Sequence, residues 1–305
     1  MNTNKWLTAN FADLKNKIIV VTGTTNGLGN SLLNYLAMLG CEVVCGVRNT
    51  NKSNEQIEVL KQTYPSFKAT SVELDLCDLT SVKHFSKTIN SLYPQGVDSL
   101  VLNAGIFAQK KQVLESGFEK HFFVNTISPC LIAKSFIPIL NKKTNSSLVF
   151  VSSISFNSAK INIENVDVQN ENNSIKIYAN SKRWLTYFAV ELKKELEVQN
   201  SNICVNICHP GISGTTLLHS SRGKFSKLTS SILTGGMKLI FPSPQKAVLS
   251  ELFAISNKTK SNEWIGPKLF NVYGKPKIHK LKFKQTENNS TSDVYSKITN
   301  ILDNL

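Results

Sequence analysis

Three features of the 305-residue sequence predict an α/β fold: a single domain built on a parallel sheet of about seven strands, doubly wound with helices on both faces. Short β-branched runs alternate with stretches whose apolar residues recur every three or four positions, the pattern of repeated strand–helix units. A glycine-rich turn joins the first strand to the first helix. No stretch rich in Gly, Pro or Ser divides the chain, so one domain spanning 1–305 with extensions accounts for its length.

An N-terminal arm, residues 1–16, carries Trp6, Phe11 and Leu14 and leads into Ile18-Ile19-Val20-Val21-Thr22, a run typical of a buried parallel strand. Gly23-Thr24-Thr25-Asn26-Gly27-Leu28-Gly29 follows. After it, Leu32, Leu33, Leu36, Ala37 and Leu39 recur at helical spacing until Gly40 stops the helix. Strand, glycine turn and helix in this order make a phosphate site. Glycines let the backbone approach a pyrophosphate, and the helix N-terminus offers free N–H groups and the positive end of its dipole. Gly23, Thr25, Asn26, Gly27, Leu28 and Gly29 are the expected contributors.

The second strand, Glu42 to Val47, ends in Arg48-Asn49. An acidic side chain at this strand end binds the ribose 2′-hydroxyl of NAD, whereas a cation suits a 2′-phosphate. Arg48 therefore favours NADP(H) over NAD(H), unless it is merely a solvated strand-end residue. A helix with Ile57 and Leu60 comes next, then a strand Thr70 to Leu74 ending in Asp75-Leu76. Strands are further expected at Asp98 to Leu102, Ser147 to Ser152, Ile203 to Cys208 and Lys268 to Val272.

Between the fifth and sixth strands, Tyr178-Ala179-Asn180-Ser181-Lys182 opens a long segment whose Leu185, Phe188, Ala189, Leu192 and Leu196 form an apolar stripe. Positions i and i+4 share a helix face, so the phenol of Tyr178 and the ammonium of Lys182 can reach one ligand. Alone, such a pair is better read as two surface side chains, and the rest of the chain supplies the context.

Composition narrows the classes of function. A hydrophobic fraction of 41% is that of an ordinary globular protein, and the uninterrupted apolar runs are too short to span a bilayer. Met1 to Lys17 lacks the pattern of a secretory signal, which predicts a cytoplasmic protein without a transmembrane anchor. The net charge of +14 raises the question of nucleic acid, but the lysines are mostly scattered and no RNA-recognition signature is present. Their one concentration, Lys275, Lys277, Lys280, Lys282 and Lys284, reads as an exposed sheet edge guarded against pairing. Of the six cysteines, Cys41 with Cys45 and Cys204 with Cys208 are four apart, but in strand-like runs, where that spacing separates two side chains by about 13 Å, too far for one zinc ion. Reduced, buried thiols fit better.

These motifs together resemble the short-chain dehydrogenase/reductase family, a Rossmann-fold family, over nearly the whole chain. The resemblance rests on Thr22 to Gly29, Asp75-Leu76, Asn103-Ala104-Gly105, Asn125, Ser152-Ser153, Tyr178 with Lys182, and His209-Pro210-Gly211 with Thr215, in the family's order. Compact members place the catalytic Ser about a dozen residues before the Tyr. Here the gap is about twice that, with Lys160-Ile161-Asn162 and Asp167 inserted, as in the retinol-dehydrogenase and protochlorophyllide-reductase type. Lys5-Trp6-Leu7-Thr8-Ala9, Trp264-Ile265-Gly266-Pro267 and the closing segment Val294 to Leu302 resemble soluble bacterial members of that type.

The resemblance implies an NADP(H)-dependent enzyme that interconverts a carbonyl compound and an alcohol. Asn125, Ser153, Tyr178 and Lys182 are its implied catalytic residues. Tyr178 would carry the proton, Ser153 rather than Ser152 would hold the carbonyl oxygen, and Lys182 would favour the phenolate and bond the nicotinamide ribose. Asp75, Leu76, Asn103, Ala104, Gly105, Pro210, Gly211, Ile212 and Thr215 join the glycine turn and Arg48 as implied cofactor contacts. His209 is read as a structural residue at a strand end. Residues 212–244, with Leu217, Leu218, Met237 and Phe241, are expected to form an apolar lid favouring a lipophilic substrate, the alternative being that the same residues pack in the core. Residues 275–305 form a C-terminal extension. Monomer and homo-oligomer stay equally open.

A catalytically idle NADP(H)-binding redox sensor is the alternative, but simple binding would not require the intact Ser153, Tyr178 and Lys182. Two departures from the family stand out. Arg183-Trp184 follows the catalytic Lys, where small or apolar residues are usual, and is expected to narrow or recharge the nearby surface. Pro129 lies four residues after Asn125. It has no N–H to bond the Asn125 carbonyl, so a kinked helix with that carbonyl facing Lys182 through water is expected, the alternative being a helix that begins at the proline.

Overall fold

The computed structural model describes residues 3–211, 243–269, 273–283 and 290–305. The expected Ile212 and Thr215 contacts, Lys284 and nearly all of the 212–244 segment lie outside the described residues. The N-terminal arm is mainly helical: α1 (Thr3–Asn10) and a 3₁₀ turn (Ala12–Leu14) bury Leu7, Phe11 and Leu14.

Five strands form one half of the molecule and its seam: β1 (Ile18–Thr22), β2 (Glu42–Val47), β3 (Lys68–Glu73), β4 (Ser99–Leu102) and β5 (Ser147–Val151). β6 (Cys204–Cys208), β7 (Glu263–Leu269) and β8 (Tyr273–Lys280) extend it. Their order is β3-β2-β1-β4-β5-β6-β7-β8, all parallel except β8, which runs antiparallel to β7. The order reverses between β1 and β4, which opens a crevice at their carboxyl ends.

Among the described residues the sheet has eight strands, close to the expected seven; of the expected strand at Lys268 to Val272, Lys268 and Leu269 end β7, β8 begins at Tyr273, and residues 270–272 lie outside the described residues. Gly266-Pro267 resembles a turn in sequence yet lies inside β7. Gly266 is needed there because a Cβ would come within 2.0 Å of His209 Nε2. Pro267 is tolerated where the ladder is irregular, beside a register shift between Pro267 and Leu269. β8 is a sheet edge and carries the exposed Lys275, Lys277 and Lys280.

Because side chains alternate across a strand, Ile19, Val21, Val101 and Val149 enter one core while Val20, Leu100 and Leu148 enter the other. The first core is covered by α1, α2 (Gly27–Met38), α3 (Thr50–Thr63) and a later helix at Leu249–Ser256. The second is covered by α4 (Leu79–Leu92), α5 (Lys120–Phe122), α6 (Ser128–Leu140) and α7 (Ser174–Val198). In chain order the helix Leu249–Ser256 is α8. α9 (Thr291–Asp303) seats Val294, Ile298 and Leu302 in the second core.

α5 and α6 are one rod, Lys120–Leu140, joined by a π-helical turn at Phe123–Ile127. The rod is long and apolar enough to cross a membrane, which the uninterrupted apolar runs did not suggest, but most of it is buried inside the domain. The helix does continue across Pro129. The disruption takes the form of a π turn, in which the Ser128 N–H bonds the Phe123 carbonyl five residues back. Widening the turn accommodates a residue that cannot donate to position i−4.

Candidate active site

A cavity of about 650 Å³ lies at the carboxyl ends of β1, β2, β4 and β5. Its floor is the turn from β1 into α2. Gly23 has φ +75°, a conformation that suits glycine. A Cβ on Gly29 would lie 2.0 Å from the Gly23 carbonyl, so turn and helix are in backbone contact. α2 has no acidic residue in its first turn and Asn26 as N-cap, leaving a helix end that suits a phosphate.

The next wall comes from Asn103-Ala104-Gly105. Asn103 Nδ2 donates to the carbonyls of Thr22 (2.7 Å) and Gly23 (3.1 Å), and the Ala104 N–H donates to Thr22 Oγ1 (2.9 Å), which ties the end of β4 to the glycine turn. Asp75 and Leu76 line the cavity where β3 ends; Asp75 Oδ1 accepts from the Cys77 N–H at 2.8 Å. Pro210 lines the opposite side, and Gly211 donates its N–H to His209 Nδ1 (3.1 Å). His209 is buried and stacked on Trp264 with ring centroids 4.2 Å apart, a structural placement.

Arg48 reaches the same cavity from the end of β2 and is exposed. Sequence reasoning missed its neighbour Lys52, four residues on. Asn49 caps α3 by accepting from the Lys52 N–H (2.9 Å), and the Lys52 ammonium donates to Asn26 Oδ1 (2.9 Å) at the glycine turn. Two cations thus flank the ribose end of the crevice. Gln109 and Lys120 were also missed because a hairpin-like loop, closed by the Val113–Glu119 bridge, brings them to the cavity. The buried Glu119 holds His121 Nδ1 at 2.8 Å, and His121 Nε2 accepts from the Gln109 N–H at 3.1 Å, which fixes the imidazole as neutral with its proton on Nδ1.

At the far end, Tyr178 and Lys182 stand one turn apart near the start of α7, whose N-cap Asn173 accepts from the N–H groups of Ile175 and Lys176. Both line the cavity. Ser153 Oγ accepts from the Ser155 N–H (3.3 Å) and from Ser155 Oγ (3.0 Å) and is a polar neighbour of the Tyr178 phenol. Ser152 lines the cavity, with its Oγ paired to Thr186 Oγ1 of α7 (2.6 Å), whereas Ser153 acts on the Tyr178 phenol from the next position. Burial raises the Tyr178 phenol above its ordinary value, and Ser153 opposes that rise. Phe107 packs edge-on against the Tyr178 ring, centroids 4.7 Å apart.

The Lys182 ammonium donates to the Val151 carbonyl (2.8 Å) at the end of β5. Burial lowers it to about 8, against the attraction of Cys208 and Glu251. Asn125 lies within the π turn, fully buried. Its side chain accepts from the Ile106 N–H (2.9 Å) and donates to the Ile106 carbonyl (3.0 Å) and Ser181 Oγ (3.0 Å). It therefore braces the Asn103–Ile106 loop against α7. The direct main-chain acceptor of Lys182 is the Val151 carbonyl.

Arg183 and Trp184 do not narrow or recharge the surface beside the lysine, because both are buried. α7 is enclosed between the sheet and α9, so Arg183 donates inward to the Phe156 carbonyl (3.1 Å) and Tyr187 hydroxyl (2.8 Å), and Trp184 packs on Phe122. The inserted segment is similarly structural. Ile161 is buried, and Asp167 accepts from the Glu119 N–H at 3.1 Å.

A cradle of backbone N–H groups, a close glycine–glycine contact and a cation pair at one end, with a phenol and an ammonium at the other, fit a dinucleotide laid across the sheet. Comparisons with known proteins agree. The family model described as short chain dehydrogenase matches residues 17–224. Retinol dehydrogenase 14 of Mus musculus is 31% identical over 211 residues, 66% of this chain and 62% of that protein. Polyprenol dehydrogenase of Mus musculus is 28% identical over 205 residues, 66% of this chain and 61% of that protein. The chain thus aligns with about three-fifths of the length of these relatives. The crystal structure of an uncharacterized protein from Mycobacterium Paratuberculosis shares the fold, with a TM-score of 0.73 and 24% identity over 96% of each chain. With more than half its length matched by that model and the family's motifs gathered round one crevice, the chain belongs to the short-chain dehydrogenase family of NAD(P)-dependent oxidoreductases.

Proposed function

We propose that the protein is an NADP(H)-dependent oxidoreductase that interconverts a lipophilic aldehyde or ketone and its alcohol, with Tyr178 as the acid and base. The observation that carries this reading is that Tyr178 and Lys182, with Ser153 acting on the phenol, stand at one end of a crevice whose other end holds Arg48 and Lys52. The bound nicotinamide supplies or accepts the hydride. In reduction, Tyr178 releases its hydroxyl proton to the carbonyl oxygen; in oxidation, the phenolate takes a proton from the alcohol. Ser153 orients the reacting oxygen. Lys182, charged and one helical turn away, stabilises the phenolate that reduction leaves behind.

Preference for NADP(H) is supported by two cations and no carboxylate at the end of β2. Relatives named for retinol and polyprenol support a lipophilic substrate. So does Phe107, an aromatic wall against the catalytic ring. Asn125 enters this reading as a brace of the catalytic loop, and the cytoplasm as its place of work. The test is a panel of aliphatic, aromatic and isoprenoid aldehydes assayed for oxidation of NADPH and of NADH. Turnover favouring NADPH and rising with chain length is expected. No turnover with any member, alongside tight NADPH binding, would favour the redox-sensor reading.

A further inference from the structure

The loop that follows β4 passes along the catalytic end of the crevice, and its placement rests on two side chains of one helical rod. Asn125 takes both main-chain groups of Ile106: its Oδ1 accepts from the Ile106 N–H (2.9 Å) and its Nδ2 donates to the Ile106 carbonyl (3.0 Å). Three residues on, the Gln109 N–H donates to His121 Nε2 (3.1 Å). His121 and Asn125 stand four residues apart, so they meet the loop from the same side of the rod. Between these two pins lie Phe107, edge-on to the Tyr178 ring with centroids 4.7 Å apart, and Ala108 at φ +45°. A left-handed alanine is disfavoured and persists where its surroundings over-determine it.

A neutral imidazole accepts at Nε2 only in the tautomer with its proton on Nδ1. Glu119 makes that choice. Its Oε1 faces His121 Nδ1 at 2.8 Å, while Oε2 accepts from the N–H groups of His121 (2.7 Å) and Phe122 (3.1 Å), so the carboxylate is oriented by the rod's own backbone. The Glu119 N–H is held in turn by Asp167 Oδ2 (3.1 Å). Glu119 and His121 are both completely buried. A capping acid needs no histidine beside it. This one aims an acceptor at the backbone of Gln109, a residue that lines the cavity.

We propose that His121, in the tautomer set by Glu119, is a positioning residue that holds the Phe107–Gln109 wall against Tyr178 and thereby sets a preference for long apolar substrates. The proposal rests on the reading of Tyr178 as the acid and base acting on a lipophilic carbonyl compound. When the Gln109 N–H loses its acceptor, Ala108 is free to leave its left-handed conformation, and Phe107 before it is no longer held against the catalytic ring. The proton-transfer group stays in place, but apolar surface that a long chain would cover is lost. Damage to the fold alone would lower the turnover of every aldehyde by the same factor. Displacement of the wall lowers that of the long ones most.

Two substitutions separate the roles of the imidazole. His121→Asn keeps a donor at the δ position for Glu119 and loses the acceptor, whereas His121→Gln keeps an acceptor at the ε position for Gln109. Phe107→Leu removes the aromatic wall with both pins intact. In cofactor-free protein carrying ε-¹³C-tyrosine, the Tyr178 resonance is identified by its loss in Tyr178→Phe. It should move in His121→Asn toward its position in Phe107→Leu, where the ring current of Phe107 is gone, and stay near the wild-type position in His121→Gln. In NADPH-dependent reduction, the ratio of kcat/KM for nonanal to that for butanal should fall about tenfold in His121→Asn and Phe107→Leu, and by less than about twofold in His121→Gln. A wild-type Tyr178 resonance in His121→Asn overturns the proposal whatever the activity. A moved resonance with an unchanged ratio overturns the link to specificity. Absence of turnover with both aldehydes in the wild type overturns the claim about substrates together with the reading it rests on, while the resonance still decides whether His121 holds the wall. Should His121→Asn fail to fold, the wild type supplies the test: the Gln109 amide nitrogen must show scalar coupling to His121 Nε2, and Phe107→Leu must lower the ratio. Failure of either overturns the proposal.

Discussion

At Tyr178, helix spacing alone placed the phenol and ammonium on one face, while the tertiary structure added Ser153 as a neighbour of the phenol and engaged Ser152 with Thr186. Tyr178→Phe keeps the ring that packs on Phe107 and removes only the ionisable hydroxyl, so NADPH affinity should persist while kcat falls by roughly a hundredfold or more. Fluorescence titration with NADPH and steady-state kinetics check this, and near-normal turnover would remove Tyr178 from its role. At the other end, Arg48 was visible as a missing acid, whereas Lys52 required the cap at Asn49 to bring its ammonium to the glycine turn. Arg48→Ala and Lys52→Ala should each raise the KM for NADPH about tenfold and leave that for NADH nearly unchanged, because only NADPH carries the phosphate they would pair with. Equal losses for both cofactors would make these residues structural.

Elements were legible where their periodicity was strong. β1, β2 and α7 followed from β-branched runs and a 3.6-residue stripe, and the rod Lys120–Leu140 from apolar positions that continue across Pro129. Its π turn was not legible as such, because a missing donor can be accommodated by a kink, a wider turn or a new start, and neighbouring helices choose among them. The start of that rod depends on Glu119, whose Oε2 accepts from the N–H groups of His121 (2.7 Å) and Phe122 (3.1 Å) while Oε1 faces His121 Nδ1. Glu119→Ala therefore removes a cap and strands a buried imidazole proton. A loss of about 2–4 kcal/mol is expected, read from the urea midpoint, with partial recovery in Glu119→Gln. A loss below about 0.5 kcal/mol would show that water replaces the carboxylate.

For the whole molecule, the two cores sit on either side of a sheet whose central strands are buried on both faces, and four of the six cysteines share that burial. Cys41, Cys45, Cys130 and Cys208 are buried free thiols, while Cys77 and Cys204 are partly accessible. Burial pushes Cys41 up to about 12, with Asp13 and Asp98 adding to the rise, and pushes Cys45 up to about 11. These thiols stay protonated at pH 8, and only the thiolate is nucleophilic. Iodoacetamide applied to the native protein at pH 8 should thus modify the partly accessible Cys204 and, more slowly because burial raises its thiol too, Cys77, and the other four only after unfolding, as mass spectrometry of tryptic peptides would show. Early labelling of Cys41 or Cys45 would mean that the sheet opens locally near β2.

By itself the sequence determined the winding of the fold, the glycine turn and the Tyr178–Lys182 face, because each depends on residues close together in the chain whose spacing has one geometric meaning. Only the tertiary structure decided what depends on distant segments meeting. It showed the antiparallel β8 beyond β7 and the inward burial of Arg183. It also placed Asn125 as a brace between the β4 loop and α7, and buried Glu251 of α8 inside the domain. Burial and partner choice are properties of the packed chain, and the same arginine or glutamate would read as a solvated charge until the surrounding elements close over it.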